Sequence, residues 1–282
     1  MNATATTPTV PTVQGALARA VSDVAVITRR NLLFTVRLPQ VLVLSSIMPV
    51  IFIVMFTYVF GGAIQGALPP ADAGRYVNWL IPGLLAQFAL FGGSATASGL
   101  AEDLAKGVID RFRSLPMAGA AVLAGRTLSD LVRLALTLTL MLAVGYGIGF
   151  RPQTGLGGLL GALVVGLLFG HAWSWVMALV GLMVRSAEAV QAATYLVVFP
   201  LAFTSSVFVP TQTMPGWLQP LAANQPVTVA TNALRGLILG QGALPPGRTV
   251  AGQVVLALLW AAAIIAVFAP LAIRTYRRTV SQ

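Results

Sequence analysis

The residues of this sequence that could do chemistry are few and far apart. Ser94 and His171, the one histidine in the chain, could in principle act as nucleophile and base, which makes a hydrolase the enzyme alternative. Nothing in the sequence orients this pair, because Ala95 follows Ser94 and the Gly-x-Ser-Gly type of loop is missing. One histidine without clustered carboxylates cannot build a metal-ligand set, and the absence of cysteine excludes thiol chemistry. We therefore predict no catalytic residue and no metal site.

ATP hydrolysis by a P-loop is excluded by the lysine content. The loop needs a lysine directly before serine or threonine to reach the phosphates, whereas the chain has a single lysine, Lys106, which Gly107 follows. We expect no cofactor in this chain. If the protein does work, its energy source lies elsewhere.

Charge is concentrated in the stretch Glu102–Pro116, EDLAKGVIDRFRSLP. Six of its fifteen residues are charged: Glu102, Asp103, Lys106, Asp110, Arg111 and Arg113. Long apolar runs flank the stretch on both sides, so it contacts neither lipid nor the protein's own core. We interpret it as a docking surface on which another protein acts, built on a helix from about Glu102 to Arg113 and ended by Pro116.

The composition is that of an integral membrane protein. Hydrophobic residues make up 57% of the chain and charged residues 9%, with a mean hydropathy of +0.86, whereas about 25% of the residues of a soluble domain are charged. Six intervals without charge can each hold a helix of about 20 residues, the length that crosses a bilayer. We predict an all-α domain of residues 38–273 with six transmembrane helices, at about 39–60, 76–99, 127–150, 156–184, 189–209 and 250–273.

Features inside these spans suggest how the helices pack. The fourth span carries small-xxx-small repeats that permit close helix approach, formed by Gly157, Gly161, Gly166 and Gly170. Asp130 lies four residues after Arg126 and three before Arg133, which predicts local charge neutralisation on one helical face. Asn224-Gln225-Pro226 and Gly240 are start and stop signals for a helix over 226–239. That helix is too short to span, so we predict a re-entrant or interfacial helix before the last span.

Basic residues predict the orientation, because cytoplasmic flanks are enriched in lysine and arginine. With the N-terminus inside, thirteen of the 17 basic residues are cytoplasmic, and Arg75, Arg151, Arg235 and Arg248 are outside. Both termini are therefore expected in the cytoplasm. The net charge of +10 is explained by this topology and by anionic lipid, so we predict no nucleic-acid partner.

Ion coupling remains an alternative that the acidic residues disfavour. A secondary transporter needs carboxylates inside the membrane to bind protons or sodium. We place all seven acidic residues at or near span boundaries or outside the spans: Asp23, Asp72, Glu102, Asp103, Asp110, Asp130 and Glu188.

The two ends of the chain are predicted to lie outside the spans. Residues 1–13 are rich in Thr and Pro and are predicted to be a disordered tail. Residues 14–37 fit an amphipathic helix in the cytoplasmic interface, with Val24, Ala25 and Thr28 on its apolar face and Arg19, Asp23 and Arg30 roughly opposite. The first apolar run begins after Arg37, too far along for an ordinary signal peptide, and we expect it to stay attached. Residues 274–282 form a basic cytoplasmic tail.

Two segments resemble a known family. The run EDLAKGVIDRFRSLPMAGAAVLAGRTLSDLVR, with FRSLPM followed by Arg126, looks like the inner-loop signature of type-2 ABC exporter permeases, in particular the daunorubicin/doxorubicin-resistance branch. The run NQPVTVATNALRGLILG at Asn224–Gly240 is similar to the outer segment of that family before its last span.

The resemblance implies a permease subunit in a bacterial inner membrane. It implies pairing with a second permease copy or homologue and with ATP-binding subunits that hold ATP and Mg²⁺. In that family the N-terminal helix and the loop between spans 2 and 3 contact the ATPase, which assigns coupling roles to Arg19, Asp23, Arg30, Glu102, Asp103, Lys106, Asp110, Arg111 and Arg113. The implied activity is ATP-driven export.

The nature of the cargo is indicated by the side chains of spans 1, 2 and 5. We expect a lipophilic drug, an antibiotic or a complex lipid, because these spans offer aromatic groups and few buried charges, with polysaccharide export as the alternative within the family. The predicted substrate path consists of Phe52, Phe56, Gln87, Phe88, Phe91, Tyr195, Phe199, Phe203 and Thr204. For any single one of these side chains, packing against lipid is an equally good explanation.

Overall fold

The computed structural model describes residues 22, 24–29, 31–33, 39–65, 76–105, 119–184 and 186–281, and every regular element in these ranges is helical. The helices are α1 (Pro39–Met55), α2 (Tyr76–Phe91), α3 (Ser94–Ala105), α4 (Gly119–Ile148), α5 (Gly155–Met183), α6 (Ala187–Phe203), α7 (Gln219–Asn224), α8 (Pro226–Leu239) and α9 (Val250–Ser281). α1 continues through a π-helical turn, Phe56–Phe60, into Gly61–Gln65. The all-α prediction agrees with this architecture.

Four helical stretches in the described ranges are long and apolar enough to cross a membrane. They are Tyr76–Ala105, Leu123–Ile148, Gly155–Met183 and Val250–Thr279. The other two predicted spans correspond to shorter apolar helices, Ile47–Ala63 and Ala187–Phe203. The count of six transmembrane helices therefore stays a prediction.

α5 is the central helix of the bundle. It packs against α2, α3, α4, α6, α8 and α9. Most of its apolar stretch is buried, whereas most of the apolar stretch of α9 is not. The glycines that permit close approach are partly different from those expected. A Cβ at Gly157 would meet nothing within 4 Å, whereas one at Gly181 would lie 2.4 Å from the carbonyl oxygen of Ala97. The backbone of α5 thus passes close to α3 at Gly181, and it passes close to α8 at Gly158, where a Cβ would lie 2.1 Å from the carbonyl oxygen of Leu237.

The second predicted span, 76–99, is interrupted. α2 ends at Phe91, and α3 begins at Ser94 after Gly92 and Gly93. Glycine lowers helix stability by about 1 kcal/mol relative to alanine, and a Cβ at Gly93 would lie 2.5 Å from the Cα of Ser174 in α5. The break therefore lets the backbone pass close to α5, and the helix then continues beyond the predicted end to Ala105.

The last third of the chain differs most from the expected arrangement. α6 ends at Phe203 instead of continuing to residue 209, and α9 continues to Ser281, so residues 274–281 belong to the helix and form no separate tail. α8 has the predicted bounds, but all of its residues except Pro226 and Leu237 are buried. It packs against α2, α5 and α9, so it is an internal helix of the bundle, and its assignment as re-entrant or interfacial stays a prediction.

The described part of the predicted N-terminal helix is helical and contacts α4. Ile27 and Thr28 are buried, and the Thr28 hydroxyl donates to the carbonyl of Gly125 at 3.2 Å. The Asn31 amide donates to the Ser129 hydroxyl at 3.4 Å. Ala25, expected on the apolar face, makes no buried contact with the described part of the protein and is exposed. The assignment of residues 14–37 to a membrane interface stays a prediction.

Candidate substrate cavity and coupling contacts

An aromatic cavity of about 450 Å³ lies between α1, α2, α4 and α6. Most of its wall is apolar side chain, and the cavity is partly open on one side. Six residues of the predicted substrate path meet there: Phe52, Gln87, Phe88, Phe91, Tyr195 and Phe199. Their assignment to a substrate path was made from composition, and packing brings them to one place.

Seven phenylalanine rings, four of which line the cavity, form a closed circuit. Successive centroids are 4.6 to 6.5 Å apart, distances typical of stabilising aromatic pairs. The circuit runs through Phe52, Phe88, Phe91, Phe199, Phe203, Phe208 and Phe56. Phe208 was not predicted, because it follows the end of α6 and helical spacing does not relate it to Phe203.

Three predicted path residues lie next to the cavity without lining it. Phe56 and Phe203 are members of the ring circuit. Thr204 terminates α6, since its hydroxyl donates to the Pro200 carbonyl at 2.6 Å and accepts from the Gln225 amide at 3.2 Å. The position of Thr204 therefore indicates a structural role at the end of α6.

A second, polar cavity of about 390 Å³ adjoins the aromatic one. The two share Phe91, Ser94 and Tyr195 among their lining residues. Hydroxyl, amide and carboxylate groups line the rest of it, together with Ala187: Ser98, Glu102, Glu188, Gln191 and Thr194. The two cavities are therefore adjacent, with the polar one toward the end of α3 and the other among the aromatic rings. Sequence reasoning assigned Glu102 to docking and did not assign Ser98 or Gln191 to any site.

The buried carboxylate of Asp130 in α4 stabilises the start of α3. It accepts a hydrogen bond from the backbone N–H of Thr96 at 3.1 Å and pairs with Arg133 at 3.2 Å. The first N–H groups of a helix have no partner within the helix, and Gly93, which precedes α3, has no side chain to cap it. Asp130 therefore acts as an N-terminal cap supplied by a neighbouring helix.

A second contact ties the other end of α3 to α4. The Arg126 guanidinium forms a salt bridge and hydrogen bond with Asp103, where the predicted pairing was with Asp130. The Asp103 carboxylate therefore makes a contact within the protein, while the Glu102 side chain is exposed. The other predicted coupling residues lie outside the described ranges: Lys106, Asp110, Arg111, Arg113, Arg19, Asp23 and Arg30.

Arg235 in α8 is buried in the bundle, with 2% of its surface exposed, whereas the charge pattern placed it outside the spans. Its guanidinium carbon lies 3.5 Å from the centroid of the Trp79 ring, a cation–π contact. The guanidinium donates to the Trp79 carbonyl, the Ser206 carbonyl and hydroxyl, and the Val207 carbonyl at 2.6 to 3.2 Å. Arg235 thereby holds the turn that carries Phe208.

The nucleophile-base pair considered from the sequence is not assembled. The Ser94 hydroxyl donates to the Phe91 carbonyl at 2.8 Å. The His171 ring accepts from the Trp175 indole at 3.4 Å, which fits the packing role expected for a lone histidine among tryptophans. Among the residues that the structure describes, no cluster of three potential metal ligands occurs.

Comparison with known families identifies the class of protein to which this architecture belongs. The profile described as "ABC-2 type transporter" matches residues 22–239. The chain belongs to this ABC-2 type transporter family. The matched region of the permease includes both cavities, the contacts between α3 and α4, and Arg235, and it ends where α8 ends.

Curated relatives place this ABC-2 permease in the daunorubicin/doxorubicin-resistance branch. It is 36% identical over 262 residues to the daunorubicin resistance ABC transporter permease protein DrrB1 of Streptomyces coeruleorubidus, covering 92% of this chain and 88% of the relative. It is 30% identical over 235 residues to the probable doxorubicin resistance ABC transporter permease protein DrrC of Mycobacterium tuberculosis, with coverages of 83% and 80%. For DrrB of M. tuberculosis the identity is 28% over 197 residues, with coverages of 67% and 66%.

The permease is a multi-pass protein of the bacterial inner membrane, as its family, its relatives and its long apolar helices indicate.

Replacing Arg235 by lysine is expected to destabilise the permease. Lysine cannot reproduce the planar fork that contacts several carbonyls and the Trp79 face, so we expect the free energy of unfolding to fall by about 2–4 kcal/mol. Arg248→Lys is the matched control, because the Arg248 guanidinium bonds the exposed side chain of Asn224. Denaturant unfolding of both variants in lipid nanodiscs measures the difference. Equal stability of the two variants would show that the Arg235 contacts are dispensable.

Proposed function

We propose that this permease is the membrane subunit of an ATP-driven exporter that moves a lipophilic drug, antibiotic or complex lipid out of the cytoplasm or inner leaflet. The observation that carries the proposal is the aromatic cavity with the polar cavity beside it. The aromatic cavity has a volume of about 450 Å³, which lies in the range of pockets that hold drug-sized ligands. The names of the relatives, which are daunorubicin and doxorubicin resistance permeases, support the same class of cargo.

The energy source is a separate ATP-binding subunit that holds ATP and Mg²⁺. Family membership supports this partner, and the sequence offers no lysine that could serve a P-loop. Ion coupling is a poorer explanation, even though Asp130 is buried inside a span. Both of its carboxylate oxygens accept hydrogen bonds within the protein, Oδ2 from Thr96 and Oδ1 from Arg133. The contacts of the carboxylate therefore indicate a structural role.

The proposed topology has six transmembrane helices and both termini in the cytoplasm. The polar cavity then opens toward the cytoplasm, next to Glu102, and the turn that carries Phe208 faces the other side. A second permease copy or homologue closes the open side of the aromatic cavity. Exposed apolar side chains on both flanking helices support this pairing, among them Met48 of α1, 57% exposed, and Leu196 of α6, 77% exposed.

α3 is the element that links the docking surface to the cavity. Its first residue, Ser94, lines both cavities, and its last turn carries Glu102 and Asp103. The Asp130 cap and the Arg126–Asp103 salt bridge attach it to α4 at both ends. A force on the docking surface therefore moves α3 and α4 together. The glycine break at the start of α3 allows α3 to move relative to α2.

The cargo assignment is tested by removing one cavity ring. We expect doxorubicin to stimulate ATP hydrolysis by the permease–ATPase complex in nanodiscs. In Phe91→Ala the half-stimulating concentration should rise about tenfold, because Phe91 contacts three other rings and its contact area with the drug is lost. Trp217→Ala is the control, since Trp217 is 80% exposed and lines neither cavity. Equal responses in both variants, or no stimulation by any lipophilic compound, would overturn the proposal.

The link through α3 is tested by a charge swap. Asp103→Arg and Arg126→Asp each place like charges together, and we expect each to lower ATP-dependent transport about tenfold while ATP hydrolysis continues, a loss of about 1.4 kcal/mol of coupling free energy. The double variant restores the opposite charges and should recover most of the transport.

Charge reversal at Lys106 or Arg111 is expected to uncouple transport as well, but Arg126→Asp should not rescue it, because these residues are assigned to the ATPase contact. Transport that stays coupled in all single variants, or a double variant as defective as the singles, would contradict the assigned roles.

A further inference from the structure

Gln87 is a buried polar side chain in the mostly apolar wall of the aromatic cavity, which also contains Arg133, Ser94 and Thr137. It lies in α2 with 1% of its surface exposed and lines the aromatic cavity. Its amide oxygen is buried and has no hydrogen-bond partner. Buried polar groups are almost always hydrogen-bonded, and each exception calls for an explanation. Inside a bilayer the need is stronger, because lipid offers no donor.

The position of Gln87 relative to the rings is that of an orienting group. Gln87 and Phe91 are four residues apart on one helix and therefore lie on the same face. Phe88 is the next residue, and its ring meets those of Phe52 and Phe91. Binding cavities typically combine apolar walls with a few polar groups that fix the orientation of the ligand. A ring system held among these aromatics can place a substituent on the Gln87 amide.

We propose that Gln87 is a specificity-determining residue that accepts a hydrogen bond from an O–H or N–H group of a ring-containing lipophilic cargo. This inference rests on the proposed function, and it names the feature by which the cavity selects among lipophilic molecules. The amide oxygen is satisfied when cargo is bound and unsatisfied when the cavity is empty. Lipophiles without a donor leave it unsatisfied in both states, so they bind more weakly.

The test uses two probes that differ in one donor. 1-Pyrenemethanol carries a hydroxyl, and 1-(methoxymethyl)pyrene has the same ring system with the hydroxyl methylated. Their fluorescence is titrated against the permease–ATPase complex in nanodiscs, with protein-free nanodiscs as the correction for lipid partitioning. We expect the wild-type complex to bind the alcohol about tenfold more tightly than the ether.

The variant Gln87→Met keeps the length of the side chain and removes the amide. We expect it to bind both probes with equal affinity and to unfold at the same or a higher temperature than the wild type, because an unpaired buried amide has been replaced by an apolar group. If Gln87 served only to support the fold, Gln87→Met would instead unfold at a lower temperature than the wild type. Gln87→Leu is the second variant and has the same expected outcome.

The outcomes separate this inference from the proposed function. Equal binding of the two probes by the wild type, or a tenfold preference that persists in Gln87→Met, would overturn the role of Gln87. If Phe91→Ala weakens both probes in that case, the cavity still binds cargo and the proposed function stands. If neither probe nor any other lipophile binds the wild type, the proposed function and the inference fail together.

Discussion

The structure depends on one constraint: a bilayer supplies no hydrogen-bond partners, so backbone groups that a helix break leaves open must be satisfied by the chain itself. Two buried charges meet this need at two breaks. Asp130 accepts from the backbone of Thr96 where α3 restarts after the Gly92–Gly93 break, and Arg235 donates to the carbonyls of the turn that follows α6. An anion thus serves an N-terminus and a cation serves free carbonyls, the pairing that the helix dipole favours.

The aromatic cavity lies between these two breaks. Gly92 and Ser94 line the aromatic cavity at one break, and Phe208 closes the ring circuit at the other. Interrupted helices are tolerated in membranes where protein or a cavity surrounds them. In the proposed coupling, the glycine break lets α3 move together with α4 relative to α2.

Much of the fold could be predicted from the sequence, because apolar run length and local start and stop signals are local properties. The bounds of α8 follow from Asn224-Gln225-Pro226 and Gly240. Charge did not indicate burial. The burial of Arg235 could not be predicted, since only the folded chain reveals the carbonyls that surround its guanidinium. The charge pattern also did not predict the end of the last helix, because a helix can continue past its first arginine, as α9 does. The sequence contains the pair Gly92-Gly93 at the break, but the predicted second span, 76–99, continued through it.

The residues of the candidate site were likewise predictable only in part. Residue type identified the aromatic side chains that meet in the cavity, whereas Ser98 and Gln191 required the packing of α6 against α3, and Phe208 required the turn that follows α6. Their roles in transport stay predictions. The central one is ATP-driven export, for which we infer that nucleotide binding closes the polar cavity and opens the ring circuit.

The chain contains no cysteine, so single introduced cysteines can report on the accessibility of the two places. Gln191→Cys marks the polar cavity and Phe208→Cys the ring circuit. Labelling by a membrane-impermeant thiol reagent is measured on the permease–ATPase complex in nanodiscs, with and without a non-hydrolysable ATP analogue. We expect the nucleotide to protect the cysteine at 191 and to expose the one at 208, which replaces a buried side chain. Labelling of both cysteines that is independent of nucleotide would contradict the account.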